Sequence, residues 1–87
     1  MALANRCRKL TKVDLGRTKL TDAGVVALAN NCRNLTTIYL TANTRVTDDG
    51  VTALAKNCHK LTTIGLRGTP VGDPGVMALV KNCHKLT

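Results

Sequence analysis

Aromatic residues are almost missing from this chain. Phe and Trp are absent and Tyr39 is the one aromatic among 87 residues, so the hydrophobic 44% consists mainly of Leu, Val, Ala, Ile and Cys. A core made of such residues must be built from many small aliphatic contacts. A chain of this length forms at most one domain, and it lies near the size at which a single conventional core is only marginally sufficient.

Long hydrophobic runs are missing as well. No run approaches the roughly 18 apolar residues that span a bilayer, and the first six residues are too short and too polar for a signal peptide. We therefore expect a soluble, intracellular protein, located in the cytoplasm and not bound to a membrane.

Acidic residues are scarce. Thirteen Lys and Arg stand against five Asp and Glu, which gives a net charge of +8 at pH 7. This excess favours an acidic protein surface, nucleic acid or an anionic membrane as partner, and charge alone does not choose among them.

Closely spaced cysteine pairs, typical of zinc sites, are also missing. The four cysteines stand at positions 7, 32, 58 and 83, at steps of 25, 26 and 25 residues. When the chain is cut at each cysteine, the pieces align along their whole length, which is the pattern of an internal repeat. The one extra residue lies near Arg45, where a loop would absorb it.

Each copy has two halves with different hydrophobic periods. The first half reads L-x-x-[VI]-x-L, starting at Leu10, Leu35 and Leu61, and its alternation predicts a short strand. The second half has apolar residues at i, i+3, i+4 and i+7, which predicts a helix with one buried face. These stripes are Val25, Leu28, Ala29 and Cys32; Val51, Leu54, Ala55 and Cys58; and Val76, Leu79, Val80 and Cys83.

Polar residues mark the ends of the predicted helices. Aspartates at the start are predicted N-caps, and Pro74 suits the first helical turn. Asparagines before the cysteines are predicted to close each helix in the left-handed conformation, after about two to three turns. The predicted N-caps are Asp22, Asp48 and Asp73, and the predicted closing residues are Asn31, Asn57 and Asn82.

Neither half can bury its apolar face alone, but stacked copies would bury a continuous core. We expect an α/β solenoid of about three repeats, with short parallel strands on the concave face and short α-helices on the convex face. The predicted array covers residues 1–87, with a partial repeat at 1–6, repeats at 7–31, 32–57 and 58–82, and a partial repeat at 83–87. Because neither end looks like a polar cap, we expect a segment of a longer array or self-association through the ends.

The repeat resembles the cysteine-containing leucine-rich repeats. The resemblance rests on L-x-x-[VI]-x-L, on a Thr or Asn three residues later (Thr18, Asn43, Thr69), on T-D-x-G-V-x-A-L-A and on the closing cysteine. It implies a protein-interaction module or scaffold. Because such repeats are best known from F-box receptors, it also implies an alternative role in substrate recognition for a ubiquitin ligase.

The cysteines, histidines and aspartates are residue types that can bind metal or catalyse reactions, and here each also has a structural interpretation. The cysteines fall on the buried helical stripe, so we read them as small hydrophobic residues, reduced and without metal, with a disulfide between adjacent repeats under oxidising conditions as the alternative. His59 and His84 follow successive cysteines but offer too few ligands for a metal site. The aspartates recur once per repeat, as capping predicts, and no nucleophile and base arrangement is visible. We therefore predict no enzyme activity, no metal and no cofactor.

The resemblance implies binding through the concave sheet face, where the residues that flank the apolar pair of each strand point outward. Tyr39 lies at the centre, and tyrosine and arginine often anchor interfaces. The expected partner is a protein with an acidic or mixed-charge surface. Nucleic acid is disfavoured because one Tyr cannot stack several bases. The predicted residues are Lys12, Asp14, Arg17, Thr37, Tyr39, Thr41, Thr63 and Arg67, with Gly65 beside them.

A second basic region recurs around each cysteine, at the predicted edge where a helix leads into the next strand. It is interpreted either as a solubilising face or as an attractive ridge for an acidic partner. Its residues are Arg6, Arg8, Lys9, Arg33, Lys56, Lys60, Lys81 and Lys85.

Overall fold

The computed structural model describes residues 9–86 and has three strand–loop–helix units in a row. The strands are β1 (Lys12–Asp14), β2 (Thr37–Tyr39) and β3 (Thr63–Gly65), and the helices are α1 (Asp22–Asn31), α2 (Asp48–Asn57) and α3 (Asp73–Asn82). The strands form one parallel sheet in the order β1-β2-β3. This confirms the predicted α/β solenoid. The predicted partial repeat at 1–6, Cys7 and the basic residues Arg6 and Arg8 lie outside the described residues.

The sheet and the helices form two layers with the core between them. The middle repeat is the best buried, because it has a neighbour on both sides: Leu35, Ile38, Leu40, Val51 and Leu54 are all fully buried. Neighbouring strands are about 4.8 Å apart, whereas packed helices are about 8–10 Å apart. The stack therefore bends toward the sheet, which takes the concave side.

The extra residue of the second copy lies in the loop between β2 and α2. Asp14 of β1 pairs with Tyr39 of β2, so equivalent strand positions are 25 residues apart. The helices α1 and α2 begin 26 residues apart, at Asp22 and Asp48, so the second loop is longer by one residue. Arg45 lies in this loop and forms an isolated bridge with Thr21. The prediction of a loop insertion is confirmed.

The third helical stripe differs from its predecessors. Val25, Ala29, Val51 and Ala55 are fully buried because the next helix lies over them. Their counterparts on α3, Val76 and Val80, are 47% and 63% exposed. The prediction that these two valines are buried is therefore wrong: among residues 9–86 no further helix covers α3.

Both predictions about the helix ends are wrong in detail. The N-caps are Thr21, Thr47 and Gly72, and each aspartate is the first helical residue. The asparagines stay inside their helices. Their side-chain amides donate to the carbonyl oxygen four residues earlier, at 2.8–2.9 Å, because this satisfies a free carbonyl of the last turn. The helix length of ten residues agrees with the predicted two to three turns.

Candidate protein-binding face

The outward face of the sheet consists of two complete rows of side chains. Pairing of the strands places Lys12, Thr37 and Thr63 in one row, and Asp14, Tyr39 and Gly65 in the next. Between these rows, Val13, Ile38 and Ile64 pack into the core. The predicted alternation of outward and inward residues is confirmed for these six outward positions.

Tyr39 lies at the centre of this face and is 41% exposed. Its ring leans over Gly65, where a β-carbon would come within 2.7 Å of Tyr39 Cδ1. The missing side chain at Gly65 therefore makes room for the ring. A partly exposed tyrosine that already packs against the sheet loses little conformational freedom on binding.

The space around Tyr39 has the shape of two shallow depressions on the side facing β1. One is lined by Asp14, Gly16, Arg17, Tyr39 and Thr41, and the other by Lys12, Val13, Asp14, Thr37 and Tyr39. Asp14 and Tyr39 line both depressions. A partner side chain in either would meet both an aromatic surface and a charge.

The three remaining predicted residues do not form one row. Thr41 aligns with Arg67 and with Gly16, whereas Arg17 is one position further along, in the turn, where it aligns with Ala42 and Gly68. Arg17, Ala42 and Gly68 all have left-handed backbone, with φ of 60°, 62° and 77°. Arg17 and Arg67 are both exposed and stand at the two sides of the face. They therefore form its rim, and Arg17 still lines one of the depressions.

Asn43 fixes the turn that follows the central strand. Its side chain is fully buried and donates to the carbonyl oxygens of Leu15 at 2.8 Å and Leu40 at 3.0 Å. It also accepts the amide of Leu20 at 2.9 Å. Thr18 and Thr69 bond to a carbonyl of their own turn, at 2.7 and 2.6 Å. The side chain of Asn43 therefore joins the second repeat to the first by these hydrogen bonds.

The aspartates at the helix starts join each repeat to the next. Asp22 accepts the backbone amide of Thr47 at 2.7 Å and also its hydroxyl. Asp48 accepts the amides of Gly72 at 2.9 Å and Gly75 at 3.0 Å. These carboxylates accept backbone amides at the start of the following helix, so they hold neighbouring repeats together.

The buried thiols form a file between the repeats. Cys58 Sγ lies 3.4 Å from the carbonyl oxygen of Cys32, and Cys83 Sγ lies 3.5 Å from that of Cys58. Burial raises the pKa of the Cys58 thiol to about 11, with a further increase from Cys83 and an opposing effect of Arg33. Burial also raises the pKa of Cys83. Both stay protonated at neutral pH and can donate to these carbonyls, so they are poor nucleophiles and metal ligands.

The oxidation state differs among the described cysteines. Cys58 and Cys83 are free, as expected. Cys32 is half of a disulfide bond, so the expectation of reduced cysteines is wrong at this position. The interior placement predicted for the cysteines is confirmed at all three positions, which are buried.

Within residues 9–86, no group of three or more His, Cys, Asp or Glu could hold a metal ion. His59 and His84 are exposed in turns. None of the helices in this part of the chain has the length and apolar character needed to cross a bilayer.

Comparison with known proteins identifies the repeat. A family model described as leucine-rich repeat matches residues 6–29, 31–55 and 57–80, which together make up most of the chain. No curated protein sequence matches the chain. Leucine-rich repeats are as a class protein-interaction modules that do not catalyse reactions. By sequence and by architecture, this chain belongs to the leucine-rich repeat family.

Proposed function

We propose that this protein binds a partner protein through the concave sheet face centred on Tyr39. The observation that carries the proposal is the position of this ring, which is supported from below by Gly65 and is partly exposed in the middle of the sheet. Its polar neighbours Thr37, Thr41 and Thr63 are half-buried and offer hydroxyl groups. An aromatic anchor with a polar surround is the usual composition of an interface centre.

The charges around the ring favour a partner with an acidic or mixed-charge surface. Lys12, Arg17 and Arg67 are exposed on the rim, and Asp14 is the one acidic residue among them. A partner carboxylate near an arginine of the rim would form a charge-assisted hydrogen bond, and Asp14 would select against an acid at the centre.

The proposal is tested with a partner captured from cell extract and then purified. Binding is measured by calorimetry for the wild type and for Tyr39→Ala with Arg67→Ala. We expect affinity to fall by about a thousandfold, because interface anchors of this kind contribute about 2 kcal/mol each and about 1.4 kcal/mol corresponds to a factor of ten. Lys19→Ala with Arg45→Ala, two exposed residues in the loops before α1 and α2, is the matched control. Equal affinity of the double variant and the wild type, with the fold intact, would refute the proposal.

We further propose that the chain belongs to the cysteine-containing subtype of this family. The file of buried cysteines, Cys32, Cys58 and Cys83, supports this assignment. An alternative function follows from it, namely substrate recognition in an F-box-type ubiquitin ligase receptor. Co-purification of a ubiquitin-ligase adaptor with the protein would favour the alternative, and capture of the partner without an adaptor would favour a plain interaction module or scaffold.

A structural role is a second candidate, favoured by the exposed face of α3. We propose that a second copy of the chain can stack on this face. Val76 and Val80 are exposed there, and Asp73 stands where Asp22 and Asp48 bind the next helix. At the start of α1, Thr21 and Gly24 are equivalent to Thr47 and Gly50 of the next repeat. Thr47 and Gly50 are the residues that contact Asp22 in the stack. Light scattering over a wide concentration range should show a rising mass that Val80→Lys abolishes. A constant monomer mass would rule out this role.

We also propose a non-catalytic protein of the cytoplasm. The raised thiol pKa values and the backbone-bound carboxylates leave few groups suited to catalysis. Cys58 and Cys83 are free, as in a reducing compartment, whereas the disulfide bond of Cys32 is the observation that opposes this location. Cell fractionation of the tagged protein tests the location, and recovery in a secretory or membrane fraction would contradict it.

A further inference from the structure

Positive charge is concentrated on one edge of the molecule, away from the sheet face. The edge is formed by the last turn of each helix and by the tight turn that leads to the next strand. Six positively charged residues lie there, and all are exposed: Lys9, Arg33, Lys56, Lys60, Lys81 and Lys85. The segments 30–35, 56–61 and 81–86 contain no Asp or Glu. We call this surface the basic edge.

The acidic residues are too far away to neutralise the basic edge. Four of the five aspartates, Asp22, Asp48, Asp49 and Asp73, lie in the first turn of a helix, at the opposite end. A helix of ten residues is about 15 Å long, whereas the Debye length at physiological ionic strength is about 8 Å. The helix dipoles place about half a negative charge at each of three C-termini, and they offset only part of the six positive charges.

The turns hold the basic side chains in files across the repeats. A backbone hydrogen bond closes each turn. The donors are the amides of Leu35, Leu61 and Leu86, and the acceptors are the carbonyl oxygens of Cys32, Cys58 and Cys83, respectively. Lys60 Nζ reaches Asn34 Oδ1 of the preceding repeat at 3.1 Å. Side chains of neighbouring repeats at this edge are therefore close enough to bind one ligand together. Lys9, Asn34, Lys60 and Lys85 hold equivalent positions and form one file.

The spacing of the file fits an extended peptide. At this edge the distance between repeats lies between the strand spacing of about 4.8 Å and the helix spacing of about 10 Å. Alternate residues of an extended chain lie about 6.7 Å apart on one face. Acidic side chains at every second residue could thus meet successive repeats.

Other polyanions fit this surface less well. Single-stranded nucleic acid is bound with aromatic stacking platforms, and the basic edge has none, since Tyr39 is on the sheet. A membrane surface is bound with exposed apolar residues beside the basic ones. The exposed large hydrophobic residues of the described chain, Tyr39, Val76, Met77 and Val80, lie outside these turns.

We propose that the basic edge is a second binding surface, which takes an extended acidic segment of a protein, independently of the concave face. The segment runs across the repeats and places carboxylates against the file of Lys60 and Lys85 and against Arg33. Binding is electrostatic and therefore weakens as the salt concentration rises.

The test uses a fluorescein-labelled peptide of alternating glutamate and serine, with binding followed by fluorescence anisotropy. Two variants with the same net charge are compared, Lys60→Glu with Lys85→Glu on the basic edge and Lys19→Glu with Arg45→Glu in the exposed loops before α1 and α2. We expect the edge variant to weaken binding by about tenfold or more and the loop variant by less than about threefold. Circular dichroism confirms that both variants are folded.

Three outcomes would overturn the proposal. Equal weakening by the two variants would mean that net charge alone attracts the peptide. Unchanged binding by the edge variant would place the peptide elsewhere. Tighter binding of an oligothymidylate of equal length, or of phosphatidylserine vesicles, would assign the edge to a different class of partner. None of these results depends on the partner of the concave face.

Discussion

The carboxylate of Asp48 lies over the α-carbon of Gly75 in the next helix and accepts its backbone amide at 3.0 Å. A β-carbon at Gly75 would come within 2.7 Å of Asp48 Oδ1. A β-carbon at Gly50 would likewise collide with Asp22 Oδ1, and Asp22 accepts the backbone amide of Thr47. The aspartate of one repeat and the glycine of the next therefore form one contact, which brings successive helices into a fixed register.

Removing one of these carboxylates should weaken the contact between two repeats. We expect Asp48→Ala to lower the free energy of unfolding by about 1–3 kcal/mol, because the amides of Gly72 and Gly75 lose their acceptor. Urea unfolding measures the change. Asp73→Ala is the matched control, since this aspartate has the same place in its own helix and is exposed. If both variants lose the same amount, the effect is that of a helix-start charge and not of the contact between repeats.

The glycine side of the contact gives a second prediction. Alanine normally stabilises a helix by about 1 kcal/mol relative to glycine. Gly50→Ala should instead destabilise the protein, because the new β-carbon would collide with Asp22 Oδ1. In an Asp22→Ala background the same substitution should cost less or become favourable, so that a double-mutant cycle isolates the collision. Independent, additive effects of the two substitutions would contradict the described contact.

The buried thiols predict a loss of stability at high pH. The folded pKa of Cys58 is raised to about 11, above its value in the unfolded chain, so folding favours the neutral thiol. This contribution is complete below the unfolded pKa and is lost as the pH rises through about 11. Urea unfolding at pH values across this window should show a steeper decline for the wild type than for Cys58→Ala. Parallel pH profiles of the two proteins would show that Cys58 contributes nothing to the dependence.

Most of the architecture could be predicted because the three repeats of the chain can be aligned with one another. Three copies fix which positions recur, and periods of 2 and 3.6 then separate strand from helix. The outward positions of Lys12, Thr37 and Thr63 followed from this alternation. The prediction that groups Arg17 with Thr41 and Arg67 is less accurate, because the chain turns at Gly16 and Arg17 lies one position beyond their row, with left-handed backbone.

The contacts between repeats could not be predicted in the same way. An aspartate at the start of a helix suggests capping of that helix, and only the stacked structure brings it to the next one. A signal was nevertheless present, since each aspartate is followed two residues later by glycine, at Gly24, Gly50 and Gly75. Glycine is a poor helix former, and its recurrence inside the first turn indicates a close approach. The exposure of Val76 and Val80 depends on what lies beyond α3, which a periodic pattern does not contain.

The central claim, that the concave face binds the partner around Tyr39, has a direct spectroscopic test. Because Tyr39 is the one tyrosine of the chain, incorporation of 3-fluorotyrosine gives a protein with a single fluorine reporter at the proposed interface centre. The partner captured from extract is added to saturation, and the fluorine signal is followed by NMR. We predict that the resonance shifts or broadens in proportion to complex formation, and that Arg67→Ala reduces the response by weakening binding. A resonance that stays unchanged while the complex forms would place the interface elsewhere and contradict the account.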